Sequence, residues 1–523
     1  MSSPQRVAII GAGSAGLVAL QQLLEVGGDT FQPVIFERRA DIGGLWNLER
    51  DPGPCHVVVA DDSGNEQGKV ARGSYAYSEE GKVHGDSAMY EGLRVNVPVD
   101  LMAYRDYPLP EGTHLFPERT VIFEYLKRFA DSFNASKYVR LNTRVNRLAR
   151  DGKVWRIESE GPDGKNVDEF DRVIIASGWC NVPHVPTLPG LSKFKGEQMH
   201  SAWYRYPLGF RGKKVLVIGS FSSGTDVSRE LCGGIVRSFE GSDEWNRQAA
   251  ENPPGTGVTV YHSYRNLEKG PPLDYDPRDP NSPDWCRRIN VVGPLDHVDD
   301  SGKVVLQDGT ALDIDVIVWA TGFWRALPYI DHESEPFASH PITAKPGAGV
   351  HYYEGGERPG ISASPEVGGA SCTTNLDDWQ LFYQPDKSLA LLGVPTHIIP
   401  FPLTQAQARV VAHYWSGKIG ELRPVSRQLG TENAEKWTTE RNANDVEAPA
   451  GSVAPVNHSI TTPSEEAYTD ALLAHIPGEG TEFPEWDHGP DSKRGREGWG
   501  KVTNWRRDRL KTRVQLRRDH LGY

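Results

Sequence analysis

A chain of 523 residues is too long for one compact core and is expected to divide into two or three domains, and its 38% hydrophobic and 24% charged residues are those of a globular protein. A formal net charge of −13 argues against nucleic acid as a partner. No apolar run approaches the ~18 residues of a membrane span, and the opening MSSPQRVAII lacks the charged leader and apolar core of a signal peptide, so a soluble, cytoplasmic protein without a membrane anchor is expected.

The first forty-odd residues carry the strongest pattern. Val7 to Ile10 run straight into Gly11-Ala12-Gly13-Ser14-Ala15-Gly16, and Leu17, Leu20, Leu23 and Leu24 follow at helical spacing. This reads as strand, tight turn and helix. Gly11 permits the turn, Gly13 lets the backbone come close to a pyrophosphate, and Gly16 lets helix and strand pack closely, with phosphates facing the positive end of the helix dipole. Gly27-Gly28 ends the helix, a second strand covers Val34 to Phe36, and Glu37 stands at its end, where a carboxylate can hold ribose hydroxyls. The unit is therefore expected to bind a dinucleotide. Gly43-Gly44-Leu45-Trp46 comes directly after it.

From about Asp51 to Ser87 the chain is polar and glycine-rich, which predicts a long surface insertion. It ends at MYEGLRVNVPVDLMAYRDYPLP, where Asn96 lies just before Pro98 in extended or turning backbone and is expected to be buried. An amphipathic helix follows over Arg119 to Phe133, then strands over Tyr138 to Leu141 and Val154 to Ser159. DRVIIASG is a buried strand ending at Gly178, and the proline-rich NVPHVPTLPGL is the expected hinge to another domain.

Beyond FKGEQMHSAWYR the architecture of the amino terminus repeats: a strand over Val215 to Ile218, a turn over Gly219 to Gly224, and a helix over Thr225 to Leu231. Two such folds imply two cofactors. Phe221 replaces the middle glycine, but Ser222, Ser223 and the Gly224 backbone can still donate to phosphate. The next strand, VTVYHSY, ends at Arg265, a cation where Glu37 stands in the first unit, which favours a 2′-phosphate and hence NADPH over NADH.

VVGPLDHV, KVVLQDGT and DIDVIVWATGF rebuild strands and are expected to return the chain to the first domain. A helix follows over about Leu403 to Ser416. The last hundred residues are polar with aromatic anchors (Trp437, Tyr468, Phe483, Trp486, Trp499, Trp505) and end in a basic segment, Lys501 to Arg518, expected to dock on its own protein. The five cysteines (Cys55, Cys180, Cys232, Cys286, Cys372) show no CxxC spacing, which predicts reduced thiols, no disulfide and no metal site. The expected fold is α/β with two dinucleotide-binding, Rossmann-like domains, the second inserted into the first. Its boundaries fall at 1–185, 186–300, 301–430 and a C-terminal extension, 431–523, packing on the body.

FKGEQMHSAWYR matches the fingerprint FxGxxxHxxxY of the flavin-containing monooxygenases, just upstream of the second glycine turn as in that family. GGLW, LRVNVP with LMAYRDYPLP, WATGF, and LALLGV with FPLTQAQAR resemble the same family in order and spacing, from Arg6 to about Pro424. The chain is similar to its fungal, dimethylaniline monooxygenase-like members. The resemblance implies FAD on Gly11, Gly13, Gly16, Glu37, Leu45 and Trp46, with Ser14, Ala15 and Gly44 in the same turns. It implies NADPH on Ser223, Gly224, Thr225 and Asp226, beside Gly219, Ser222 and Arg265 of the second unit. Asn96, with Val97 next to it, is placed against the flavin ring and the nicotinamide as the catalytic residue.

The implied activity uses NADPH and O2 to form a C4a-hydroperoxyflavin that oxygenates an amine nitrogen or a sulfur of a small molecule. His200 is then a packing residue of the fingerprint. Two positions depart from the family: Val95 stands where a threonine usually precedes the asparagine, and Phe221 replaces a glycine. A Baeyer-Villiger oxygenase is the runner-up, although its fingerprint would place tryptophan at Tyr204 and Trp203 is one residue early. A disulfide reductase would need a redox cysteine pair after the first helix, and there is none. A flavin-binding protein without oxygenase activity is the third reading. Substrate and oligomeric state stay open, a homodimer being compatible.

Overall fold

The computed structural model describes residues 3–49, 52, 55–60, 66–67, 70–71, 87–105, 107–233, 257–271, 274–343, 361–362, 373–425, 464–483 and 498–521. Trp437, Trp486, Cys372 and most of the segment 61–86 lie outside these residues.

Two five-stranded parallel sheets organise the chain. The first contains β1 (Gln5–Ile10), β2 (Phe31–Phe36), β4 (Val139–Arg140), β5 (Arg172–Ile175) and β11 (Leu389–Leu391), in the order β11-β5-β1-β2-β4. The second contains β6 (Glu197–His200), β7 (Lys214–Ile218), β8 (Thr259–Ser263), β9 (Asn290–Val292) and β10 (Val316–Trp319), in the order β6-β10-β7-β8-β9. In each sheet the strand that feeds the glycine turn is central. Val7, Ala8 and Ile9 in one, and Val215, Leu216 and Val217 in the other, are fully buried. Parallel strands covered on both faces require such continuous apolar runs.

All five strands of the second sheet fall between β5 and β11, so the second unit is an insertion into the first. Its extent corrects the expected boundary at residue 300. β10, which carries WATGF, pairs with β6 and β7 and therefore belongs to the second sheet. The chain regains the first sheet only at Leu389–Leu391. ASG and WATGF both end buried parallel strands at small-residue turns, and that pattern does not record which sheet a strand joins.

A second correction concerns the expected surface insertion. β3 (Cys55–Ala60) lies inside it, yet Cys55 and Val57 are buried in the core of the second unit. Three successive valines, 57–59, supply the β-branched side chains for a strand there.

α1 (Ser14–Gln22) and α4 (Pro400–Trp415) pack together in the largest core, which also takes in Ile122, Tyr125, Leu126 and Phe129 of α2 (Arg119–Ser132). α3 (Ser222–Leu231) follows the second glycine turn, and α5 (Glu465–Leu473) and α6 (Asn504–Leu521) lie in the C-terminal extension. Cys55, Cys180, Cys232 and Cys286 are free thiols. Among the described residues no helix is long and apolar enough to cross a membrane, and no group of three side chains is placed to hold a metal ion.

Candidate functional site

In the first turn, most glycines are explained by protein contacts. A Cβ on Gly11, whose φ is +102°, would sit 2.8 Å from the Ala176 carbonyl oxygen, and one on Gly16 would sit 1.8 Å from the Gly11 oxygen. Gly13 is different. A Cβ there would meet nothing nearer than the Gly44 Cα at 3.6 Å, an ordinary contact, and its φ of −77° suits any residue. Packing within the protein does not require glycine at 13, so the space in front of it is available to a ligand. Gly13 is also the N-cap of α1 and has no side chain to satisfy the helix amides.

GGLW closes over this turn. The Gly43 amide donates to Ala12 O at 2.9 Å, and a Cβ on Gly44 would come within 2.8 Å of the Gly13 Cα. Glu37 is buried at the end of β2, accepting from the Ala12 amide at 2.8 Å and the Arg39 amide at 3.0 Å. Arg39 in turn donates to Gly44 O at 2.6 Å. Leu45 O accepts from the Ser87 hydroxyl, Ser14 O accepts from the Tyr104 hydroxyl, and the Trp46 ring meets Phe401 of α4 edge-on at 6.2 Å. Ala15 and Val97 pack against the first core.

Asn96 is exposed, which corrects the expectation that it is buried. Val95 at 2% and Val99 at 4% exposure take the interior positions on either side and turn the carboxamide outward, where it makes no hydrogen bond with the described residues. The segment before it joins the two units. Tyr90 belongs to the second core and its hydroxyl donates to Asp226, a Cβ on Gly92 would press on Glu230, and Val95 belongs to the first core. Asn96 thus stands at the border of the two units.

The second turn has the same skeleton. A Cβ on Gly219 would lie 2.4 Å from Ala320 O and one on Gly224 1.7 Å from Gly219 O, so both glycines are required. Phe221 occupies the N-cap of α3 with φ −89° and ψ −169°, an ordinary extended conformation. Its ring is 56% exposed and meets His397, from the loop before α4, edge-on at 5.9 Å. Ser222 is half-buried and Ser223 exposed at the start of α3, while the Thr225 hydroxyl donates to Ser220 O at 3.3 Å. Arg265 is exposed, two residues past β8, as Glu37 is one residue past β2.

Asp226, expected at the cofactor, is buried. Its carboxylate points inward, 2.7 Å from Arg229 and 3.4 Å from Arg517, and accepts from Tyr90. Burial alone would raise its pKa, but Arg229 and Arg517 hold it below the usual carboxylate value. Arg229 also pairs with Asp274 at 2.6 Å. Next to this cluster, burial pushes Glu230 up to about 7 although the Tyr204 hydroxyl donates to it at 2.6 Å. Tyr90, Arg229, Asp274 and Arg517 were not singled out from the sequence. The charges within α3 could have pointed to Arg229, but Tyr90, Asp274 and Arg517 come from three other segments.

The fingerprint residues tie the second unit together. His200 is fully buried and its pKa is driven down to about 3 by burial. Its Nδ1 accepts from the Ala202 amide at 3.1 Å, so Nε2 carries the proton and donates to Gly322 O at 2.8 Å, in the WATGF turn. A neutral imidazole in this setting holds a turn and does not exchange protons with solvent.

The structure is thus two parallel-sheet units, one inserted into the other, each with a strand, a glycine turn and a helix. Residues 4–59 and 64–242, which hold both glycine turns and the fingerprint, match the family described as flavin-binding monooxygenase-like. The flavin-containing monooxygenase FMO GS-OX5 of Arabidopsis thaliana is 30% identical over 341 residues, 62% of this chain, and the match spans 61% of that relative's length. FMO GS-OX-like 9 of the same plant is 27% identical over 428 residues, 80% of this chain and 77% of that one. Among solved structures, S-allyl-L-cysteine S-oxygenase from Allium sativum has the same fold, with a TM-score of 0.64 at 24% identity over 99% of this chain and 93% of that one. Over these stretches the chain is similar to flavin-containing monooxygenases.

Proposed function

We propose that the protein is an NADPH- and O2-dependent FAD monooxygenase that transfers one oxygen atom to an amine nitrogen or a sulfur of a small molecule. The observation that carries this reading is Gly13: a glycine that no protein contact requires, facing Gly44, in a chain whose inserted unit repeats the same turn. The match of residues 4–59 and 64–242 to the flavin-binding monooxygenase-like family supports it, and a cytoplasmic localisation belongs to the same proposal.

The residues present fit both cofactors. The amides from Gly11 to Gly16 and the N-terminus of α1 would hold the FAD pyrophosphate, Glu37 the ribose hydroxyls, and Gly44, Leu45 and Trp46 the flank beyond. Gly219, Ser222, Ser223, Gly224 and Thr225 would hold the NADPH pyrophosphate, with Arg265 at the 2′-phosphate. When bound, the two cofactors supply hydride transfer and the activation of O2. The chain itself has to orient them and keep water away from the reacting atoms. Asn96 would help to orient them at its exposed carboxamide, which has both a donor and an acceptor to offer. Val95 and Val97 on either side pack into the first core and fix the backbone that presents it. A soft nucleophile takes oxygen without a dedicated base, so the low pKa of His200 is no obstacle.

The test is turnover. Purified yellow protein given NADPH, O2, a thioether and a cyclic ketone is expected to make the sulfoxide. Ester without sulfoxide would replace this reading with a Baeyer-Villiger one. FAD-loaded protein that makes neither product would leave only a flavin-binding role, and colourless protein that refuses added FAD would overturn the reading.

A further inference from the structure

We propose that α6 is a strap that fixes the second dinucleotide unit against the first, and that Arg517 is a positioning residue for the nicotinamide cofactor. The cofactor half of this proposal rests on the reading of the second unit as the NADPH site.

α6 holds both units. Near its start, Arg506 donates to Leu101 O at 2.6 Å and Arg509 to the Asp100 carboxylate at 2.6 Å, in the short helix that directly follows the Asn96 bend. About 16 Å further along, at 1.5 Å per residue, the same helix reaches the second unit. Arg517 there lies 3.4 Å from Asp226 of α3 and 3.9 Å from Asp274, beyond β8. Arg518 donates to Asp274 O at 2.8 Å and its guanidinium sits over the Tyr275 ring.

The helix is anchored by charge. Its buried residues are Arg506, Arg517 and Leu521, and the partly buried Trp505, Leu510 and Leu516 pack against the first core, so two of its three buried side chains are guanidinium groups. The far anchor is balanced. Asp226 and Asp274 face Arg229 and Arg517, and all four side chains are at most 8% exposed. Removal of one cation leaves an uncompensated buried carboxylate, and such a charge is strongly destabilising in a poorly solvated interior. Asp226 also accepts from Tyr90, six residues before Asn96. The cluster that Arg517 completes therefore connects three parts: the helix behind the second glycine turn, the segment bearing Asn96, and the strap. Displacing Asp226 shifts α3, and with it the amides offered to the cofactor phosphates.

The experiment compares Arg517→Met, Arg517→Met with Asp274→Asn, and wild type, each as the full-length FAD-loaded protein. The single variant is expected to keep its FAD, to raise the KM for NADPH at least tenfold with a smaller change in kcat, and to speed amide exchange in residues 90–97 and 222–231. In the double variant the charges balance again, so thermal stability is expected to return while the KM stays high, because the strap is still unfastened. A KM that recovers together with stability would reduce Arg517 to a folding residue and overturn the proposal. Unchanged exchange in both segments would overturn the strap. Faster exchange in a protein whose wild type binds neither NADPH nor NADH would support the strap and overturn the cofactor half.

Discussion

The two glycine turns share one backbone design and differ in what stands around it. In both, the outer glycines are fixed by contacts with the neighbouring strand and the turn itself, so they are needed whether or not a ligand binds. The middle position is free of that demand, and there the turns part: Gly13 in one, an exposed Phe221 in the other. Behind them, α1 rests in an apolar core, whereas α3, whose Val227 and Leu231 join the second core, also buries its own charged Asp226, Arg229 and Glu230. A helix bedded in hydrocarbon has one low-energy seat. A helix bedded on ion pairs depends on the charges beneath it and on pH. The first arrangement suits a cofactor that stays, the second one that comes and goes.

The largest test separates the glycines of the first turn. In Gly16→Ala the added carbon would lie 1.8 Å from a backbone oxygen, so a loss of about 3 kcal/mol or more, or no soluble protein, is expected in thermal melts. Gly13→Ala meets only a 3.6 Å contact and should melt like wild type. Its FAD affinity should nonetheless fall tenfold or more, measured by flavin retention after gel filtration. If both variants lose stability alike, Gly13 is a packing residue and the contrast disappears.

Next in size is the charge bed of α3. Burial raises Glu230 to about 7, above the ordinary 4.5, so the folded state binds an extra proton between those values. Its contribution is fully present below about pH 4.5 and lost as pH rises through 7. Glu230→Gln keeps a neutral group of the same shape beside Tyr204 and should gain up to about 2 to 3 kcal/mol at pH 8 relative to pH 4.5. His200 works in the opposite sense. Its folded pKa of about 3 lies below the ordinary 6.5, so stability falls as pH drops from 6.5 towards 3. Melting curves of Glu230→Gln across pH 4.5 to 8 that parallel wild type would show that α3 does not sense protons there.

Arg265 and Glu37 form the third contrast. Each stands just past the strand beside the one that feeds its turn, with opposite charge. Arg265→Ala should lower the preference for NADPH over NADH about tenfold, equivalent to roughly 1.4 kcal/mol, read as the ratio of kcat/KM for the two cofactors. A ratio that does not move would take the 2′-phosphate away from Arg265.

What could be read in the chain follows from how local each feature is. The glycine turns, GGLW and the strand after each helix are contiguous patterns, and they stand where their spacing put them. Sheet membership is not contiguous: β10 looks like a strand of either unit, and only its pairing with β6 and β7 assigns it. The ion cluster is less local still. Asp226 and Arg517 are 291 residues apart, and in the sequence Asp226 reads as part of a phosphate turn while Arg517 reads as part of a basic tail. Asn96 is expected to be buried in the turn before Pro98, but Val95 and Val99 fill the interior positions and leave the carboxamide outside.

The smallest effect decides what Phe221 does. Its ring is over half exposed and touches His397, whose φ of +58° places it in a conformation uncommon for a side chain that is not glycine. His397 comes from the loop before α4, in the first unit, so this ring pair bridges the two units. If the ring stands where a pyrophosphate has to approach, cofactor entry must move it, and Phe221→Gly should lower the KM for NADPH several-fold. Stability should drop by less than about 1 kcal/mol, since glycine is acceptable at an N-cap and the lost contact is mostly exposed. A KM that rises instead would mean that the ring supports the bound cofactor. The two turns would then differ by design in how they hold their ligands, one by backbone approach and the other by a side chain laid against it.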